Sequence, residues 1–413
     1  MKKTLFFLFA LICVNPPKAQ TKNLEHFLHE GLKNSPLLMA VTSNAERNRL
    51  DSLLLKATSG FQVGAVSSNT FAPVIKGWGY DAVKTDIYNL SAQVSVTKEL
   101  TGQKSRSNQY ASLELQKKST RNAGRISEQE LKKNITNQYL NAYGIQQELT
   151  FNEELLRQLE KEDVLLKALA QAGTYKQTDY LSFLVGRKQQ IIQTETLRNQ
   201  YNTVFLALCW LCGTTDTAVC QLDDPLLKAS LLTDYTNSVY YHQFELDSLL
   251  LENAKKQLDF EYKPKVNLYA DAGYLSSLSV VPEKNFGASA GFSVSIPLYD
   301  GGQKRLKQSK FQMDEQDRRH YAFYSQTQFS QQITSLWQQF RANLSISTRI
   351  KEQIDLAKSL MEANHRLLET GDLRMADYLF SIREYLSAKN QILQNTIEKY
   401  QIINELNYWN RTK

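Results

Sequence analysis

The sequence predicts a mostly helical α+β chain, made twice from the same parts: long antiparallel α-helical coiled-coil hairpins plus four β-strands. Three observations carry this. First, short segments recur at offsets of 196 to 200 residues. Leu50-Asp51-Ser52-Leu53-Leu54-Leu55 returns as Leu246-Asp247-Ser248-Leu249-Leu250-Leu251, and Val94-Ser95-Val96 as Val294-Ser295-Ile296. Gly102-Gln103-Lys104 returns as Gly302-Gln303-Lys304, and the Gly173, Asp179-Tyr180-Leu181 set as Gly371, Asp377-Tyr378-Leu379. Matching spacing at this period is the mark of an internal duplication. Second, the stretches 102–172 and 302–370 contain no proline. Third, four short stretches alternate apolar with small polar residues, the period of a strand with one greasy and one wet face.

The elements follow in order. Residues 1–20 read as a secretory leader, with Lys2 and Lys3, an apolar Leu5–Val14 run too short to span a bilayer, and a cut near Ala19 or Gln20. Cys13 follows Ile12, whereas a lipoprotein signal wants a small residue there. Residues 21–212 form the first repeat. It opens with helix over 23–58, broken at Asn34-Ser35-Pro36, where Ser35 suits the N-cap and Pro36 the first helical position. Strands follow at 60–72 and 88–97. The long helix 102–172 would be a rod on the order of 105 Å, too long for a globular core, so it must pack along other long helices. A tip turn at 173–177 leads to a return helix, 178–212, with Thr178 as a fair N-cap. Residues 213–243, with Gly213, Asp223, Asp224 and Pro225, read as a compact connector. The second repeat, 244–413, has strands at 265–275 and 286–296, a long helix at 302–370, a tip turn at 371–375 and a return helix at 376–410.

Composition narrows the class. The chain has 413 residues, of which 22% are charged, and a mean hydropathy of −0.43. Past the leader nothing approaches 18 consecutive apolar residues, so no transmembrane helix is expected. A membrane β-barrel stays open, because its strands give weak hydropathy signals. Three lysines of the +7 net charge lie in the leader, so the rest is mildly basic and does not suggest nucleic acid. Cys209-Trp210-Leu211-Cys212 ends an apolar helical run. It reads as core packing, with a Cys212–Cys220 disulfide left open, or as a redox pair.

Four strands cannot close a barrel, for which about eight is the practical minimum. An open sheet with an apolar face exposes both edges and grease, and a bilayer forbids open edges. Several chains giving four strands each to one barrel resolve this, and a trimer gives 12 strands. Ser91, Gln93 and Ser95, with Ser289, Ser293 and Ser295, would then line water; the apolar faces would meet lipid, with Tyr88, Tyr274 and Phe286 as interface aromatics.

The chain resembles the TolC-type outer-membrane efflux protein family (outer membrane factors). The residues that carry this are Ser295-Ile296-Pro297-Leu298-Tyr299-Asp300-Gly301-Gly302, the Gly371 and Asp377-Tyr378-Leu379 tip with its Gly173 twin, and Gly31-Leu32-Lys33-Asn34-Ser35-Pro36-Leu37. The resemblance implies a homotrimer with a 12-stranded β-barrel in the outer membrane of a Gram-negative bacterium. It also implies a large periplasmic α-helical barrel, an equatorial region around 213–243, and docking to a periplasmic adaptor and an inner-membrane pump. The chain would be a passive exit duct for efflux or type I secretion. The resemblance further implies a pore constriction at Asp377, repeated into a ring of three. The second acidic position of that gate falls on Phe380, so a doubled ring is absent. The plain alternative for Asp377 is an early-helix acid favoured by the macrodipole. Asp179 reads as structural, and Tyr180 and Tyr378 belong to the tip turns. Gly173 and Gly371 would supply backbone freedom. Thr174, Tyr175, Lys176, Asp372, Leu373 and Arg374 are expected to be exposed and to contact the adaptor, or else to be solvated turn residues.

No catalytic constellation or cofactor motif is found. The five histidines are scattered, and Asp300-Gly301-Gly302 lacks the lysine and spacing of a phosphate loop. An enzyme is therefore not expected. The competing reading is a structural coiled-coil stalk or adhesin without a pore, which would not need two hairpins of clean lipid/water alternation.

Overall fold

The computed structural model describes residues 21–73, 75–76, 78–79, 87–100, 102–230, 234–278 and 281–410. The expected leader and Cys13 lie outside them. In order the elements are α1 (Leu24–Asn34), α2 (Pro36–Thr58), β1 (Gln62–Ala72), β2 (Ile87–Leu100), α3 (Gln103–Gln171) and α4 (Gln177–Leu211). Then come α5 (Val239–Glu261), β3 (Lys265–Ser276), β4 (Phe286–Ser295), α6 (Gln303–Thr370) and α7 (Met375–Trp409). The helical hairpins match in length: α3 and α6 have 69 and 68 residues, α4 and α7 have 35 each. No described helix is long and apolar enough to cross a membrane.

Several local signals act as read. Pro36 is the first residue of α2, and the Ser35 Oγ accepts a long hydrogen bond of 3.5 Å from the Leu38 amide. Others differ. The cap of α4 is Lys176, with no side-chain hydrogen bond, so Thr178 lies inside the helix. α5 starts at Val239, inside the stretch expected to be connector, because the Ser238 hydroxyl accepts from the Tyr241 amide at 3.1 Å and opens the helix there. β2 runs past the clean alternation through Lys98-Glu99-Leu100, whose partners are Leu268, Asn267 and Val266.

The chain separates into two compact units that cut across the sequence repeats. The first gathers the described residues of Met1–Leu38, Ser127–Thr233 and Phe329–Arg411. One of its cores centres on Phe27, Ile135, Tyr139, Phe205 and Leu208. The connector is tied to this core by backbone carbonyls: Tyr139 Oη donates to Asp223 O at 2.6 Å, Gln146 Nε2 to Leu222 O at 3.0 Å, and Tyr201 Oη to Cys220 O at 2.5 Å. Burial pushes the Tyr139 and Tyr201 hydroxyls up, so both stay donors. Buried asparagines bridge the helices. Asn343 Nδ2 donates to Asn395 O at 3.0 Å and Asn395 Nδ2 returns to Asn343 O at 3.2 Å. Asn404 Nδ2 donates to Lys133 O and Asn137 Oδ1, each at 2.9 Å.

The second unit gathers the described residues of Met39–Ile126 and Asp234–Gln328, and holds the sheet. The asparagine device recurs there: Asn108 Nδ2 donates to Asn253 O at 3.2 Å, and Asn253 Nδ2 to Asn108 O at 3.1 Å. Such a side chain satisfies buried polar groups on two helices at once and fixes their axial register. Asp300 opens α6. Its carboxylate accepts from the Gly302 and Lys304 amides at 2.8 and 2.7 Å and from Tyr262 Oη at 2.7 Å. The Tyr262 hydroxyl, with these amides, holds the Asp300 carboxyl below its usual range.

Candidate functional site

Two places hold the residues singled out in the sequence, the sheet and the helical tips. The four strands are antiparallel in the order β1-β2-β3-β4. Register decides which side chains share a face. Val94 pairs with Ala65 and Ala272, and Ala272 with Ala288. Val96 pairs with Val63 and Ala270, Leu268 with Phe292, and Tyr274 with Phe286. These residues form one apolar face. On the other face Ser95 pairs with Gly64 and Asp271, Gln93 with Gly273, and Ser91 with Ser68 and Leu275. Ser289 pairs with Asp271, Ser293 with Asn267 and Ser295 with Lys265. All six polar positions expected to line water therefore lie on one face. Nothing among the described residues covers the opposite one: Val63 is 70% exposed, Phe286 75% and Phe292 70%. The aromatic pairs Phe71–Tyr88 and Tyr274–Phe286, at 5.2 and 5.3 Å between ring centroids, also lie on this bare face.

The tips belong to the first unit. Gly173 and Gly371 have φ of +79° and +83°. Both helices end in the same hydrogen-bond pair. Thr174 N donates to Leu169 O and Gly173 N to Ala170 O; Asp372 N donates to Leu367 O and Gly371 N to Leu368 O. This is a Schellman end, which requires the left-handed residue that glycine adopts without strain. The turns touch, because a Cβ on Gly371 would come within 2.8 Å of Thr174 Cγ2.

One expectation is corrected here. Tyr175, grouped with the exposed tip residues, is only 8% exposed. Its hydroxyl sits between Leu368 O at 2.9 Å and Leu373 O at 3.0 Å, and its ring joins the tip core with Phe183, Leu368, Met375 and Tyr378. Leu373 packs half-buried against the same core. A turn this tight cannot leave a large aromatic in water when a second turn lies against it. Thr174, Lys176, Asp372 and Arg374 are exposed as expected.

Asp377 is ion-paired: Arg374 Nε donates to Asp377 Oδ2 at 3.0 Å on the exposed start of α7. Asp179 sits at the matching place on α4, its amide bonded to Lys176 O. Tyr378 is buried, and its hydroxyl donates to Glu162 Oε1 at 3.3 Å. His365 Nδ1 lies 3.3 Å from the same oxygen, off the hydrogen-bonding direction. Burial raises the Glu162 carboxyl, with His365 pulling the other way. Tyr180 is half-buried, and its hydroxyl donates to Asp163 Oδ1 at 3.1 Å; Arg187 pairs with Asp163 Oδ2. Sequence reading singled out neither Glu162 nor Asp163, since both lie in a charge run that looks like a solvated helix face.

The Cys209, Cys212 and Cys220 thiols are free. Burial pushes Cys212 up to about 12 and raises the other two, the reverse of what a redox pair needs. The CxxC is core packing, and the Cys212–Cys220 disulfide is not formed.

No family model and no curated protein matches the sequence. Solved structures do match the fold. The outer-membrane protein VceC from Vibrio cholerae aligns over 94% of this chain and 96% of its own, at a TM-score of 0.73 and 12% identity. CusC, solved in work on folding and transmembrane channel formation, covers 94% and 91%, at 0.76 and 13%. The Neisseria gonorrhoeae outer-membrane channel MtrE, in its open state, covers 94% and 88%, at 0.72 and 11%. At this identity the likeness speaks to fold, and it spans nearly the whole of each chain. Four antiparallel strands and two pairs of long helices, joined by glycine-ended tips, give this chain the fold of the TolC-type outer-membrane channels.

Proposed function

We propose that three copies of this chain close their sheets into a 12-stranded barrel through the outer membrane. The long helices of the same copies would form the helical wall of one duct. The observation that carries the reading is the sheet itself. One face is polar and the other is bare apolar surface, while β1 and β4 each leave one edge unpaired among the described residues. In water such a sheet exposes grease, and in lipid it exposes unpaired backbone. Closure by further copies removes both costs and turns Ser91, Gln93, Ser95, Ser289, Ser293 and Ser295 to an aqueous interior.

The activity is passive conduction. An inner-membrane pump supplies the energy, and a periplasmic adaptor docks on the exposed tip residues Thr174, Lys176, Asp372 and Arg374. The fold likeness to CusC, VceC and MtrE supports the channel class. The test is reconstitution of the purified chain in planar bilayers, with its mass in detergent measured alongside. A trimer giving discrete conductance steps is expected. A soluble monomer without conductance would mean a stalk and end the reading.

A further inference from the structure

Charge is distributed unevenly over the polar face of the sheet. Gly64, Ser95, Asp271 and Ser289 lie in one row across the four strands. The rows on either side hold Val66, Gln93, Gly273 and Gly287, and Gln62, Thr97, Tyr269 and Gly291, all uncharged. Only toward the starts of β3 and α3 do charges return on this face. There Glu99 stands opposite Asn267 and Lys265 opposite Ser295, a pair of opposite signs that offset each other. Asp271 is thus a single carboxylate set among hydroxyls, amides and glycines, with no positive side chain beside it on the face. Asp377 differs, because Arg374 neutralises it at 3.0 Å.

We propose that Asp271, rather than Asp377, sets the ionic preference of the duct: three copies form an anionic ring in the strand-lined segment that favours cationic over anionic solutes. This rests on the channel reading above. The physics is that of a fixed ring of carboxylates in a water-filled constriction. A charge on the order of 10 Å from the axis, screened at ~0.1 M salt and counted three times, changes the local cation concentration about two-fold. At the tip the guanidinium beside each carboxylate cancels most of the corresponding field.

The experiment uses the full purified chain in planar bilayers under a KCl gradient and reads the K⁺ to Cl⁻ permeability ratio from the reversal potential. The native channel is expected to prefer K⁺, Asp271→Asn to lower the ratio about four-fold, since the ring that doubles the cations also halves the anions, and Asp377→Asn combined with Arg374→Gln, which removes both members of the paired charge, to leave it nearly unchanged. Ser95→Asp, which adds a second carboxylate to the same row, is expected to raise it. That variant keeps the test decisive should Asp271→Asn fail to insert. A ratio unmoved by both Asp271→Asn and Ser95→Asp, or one that falls only with the double change Asp377→Asn and Arg374→Gln, overturns the proposal while leaving the channel intact. Absence of any conductance from the native chain overturns the channel reading instead, so the two failures are distinct.

Discussion

The two tips carry the same letters at the same spacing, Gly173 with Asp179-Tyr180 and Gly371 with Asp377-Tyr378, yet their side chains end in different surroundings. Tyr378 is buried against Glu162 and His365. Tyr180 is half-buried and shares Asp163 with Arg187. Both acceptors are adjacent residues of one helix, α3. The positions 198 residues on from Glu162 and Asp163 are Leu360 and Met361, which carry no carboxylate. The two tips therefore share the tyrosines but not their partners. Tyr175 adds to the imbalance: its counterpart is Leu373, and its hydroxyl reaches that residue's carbonyl. The two tips share backbone geometry, while differences at a few partner positions give each its own environment.

The sharpest way to break this comparison is to truncate each tyrosine. Tyr378→Ala empties a closed site and is expected to cost about 3–5 kcal/mol. Tyr180→Ala is expected to lower the helical melting temperature far less. Equal losses by circular dichroism would mean that the tips are equivalent after all. Next come the glycines. Gly173→Ala forces a side chain into a left-handed conformation at about 1–2 kcal/mol. Gly371→Ala bears that cost plus the clash with Thr174 Cγ2, and Thr174→Ser in the same chain should bring the two variants together. Tyr175→Phe is expected to cost about 1 kcal/mol, read by urea unfolding, since it strips a donor from buried carbonyls.

A smaller effect separates the acids by pH. Glu162 has its folded value raised by burial, so its contribution is greatest below the ordinary glutamate value and is lost as pH rises through the folded value. Glu315 runs the other way. Arg318 and Arg319 hold it at about 2, so its contribution is present above the ordinary value and is lost as pH falls toward about 2. Glu162→Gln should flatten the first slope in melts taken upward from pH 4.5, and Glu315→Gln the second below it. Smallest is the exposed Arg374–Asp377 pair. Arg374→Ala should leave the melting temperature nearly unmoved in high salt, because surface ion pairs are screened.

Much of this was legible before any coordinates. Alternation in Tyr88–Thr97 and Ala288–Ile296 marks strands and faces, because side chains point to opposite sides at successive residues whatever the neighbours are. Proline-free runs bounded by Gly173 and Gly371 mark the helices and their ends. Asn108, Asn253, Asn343, Asn395 and Asn404 escaped notice, since an asparagine that bridges helices looks the same in sequence as one in solvent. Tyr175 was misplaced for a related reason: a turn residue is exposed unless another turn covers it.

Spacings within single segments specify the elements, their order and the two-sided character of the strands. Tertiary structure alone decided the strand register that gathers six polar positions on one face. It alone decided which of two twin tyrosines is buried and which carboxylate is left without a counter-charge. The burial of Tyr378 against Glu162 and the pairing of Gln93 with Gly273 bring together residues more than a hundred positions apart, and no local period encodes such a meeting.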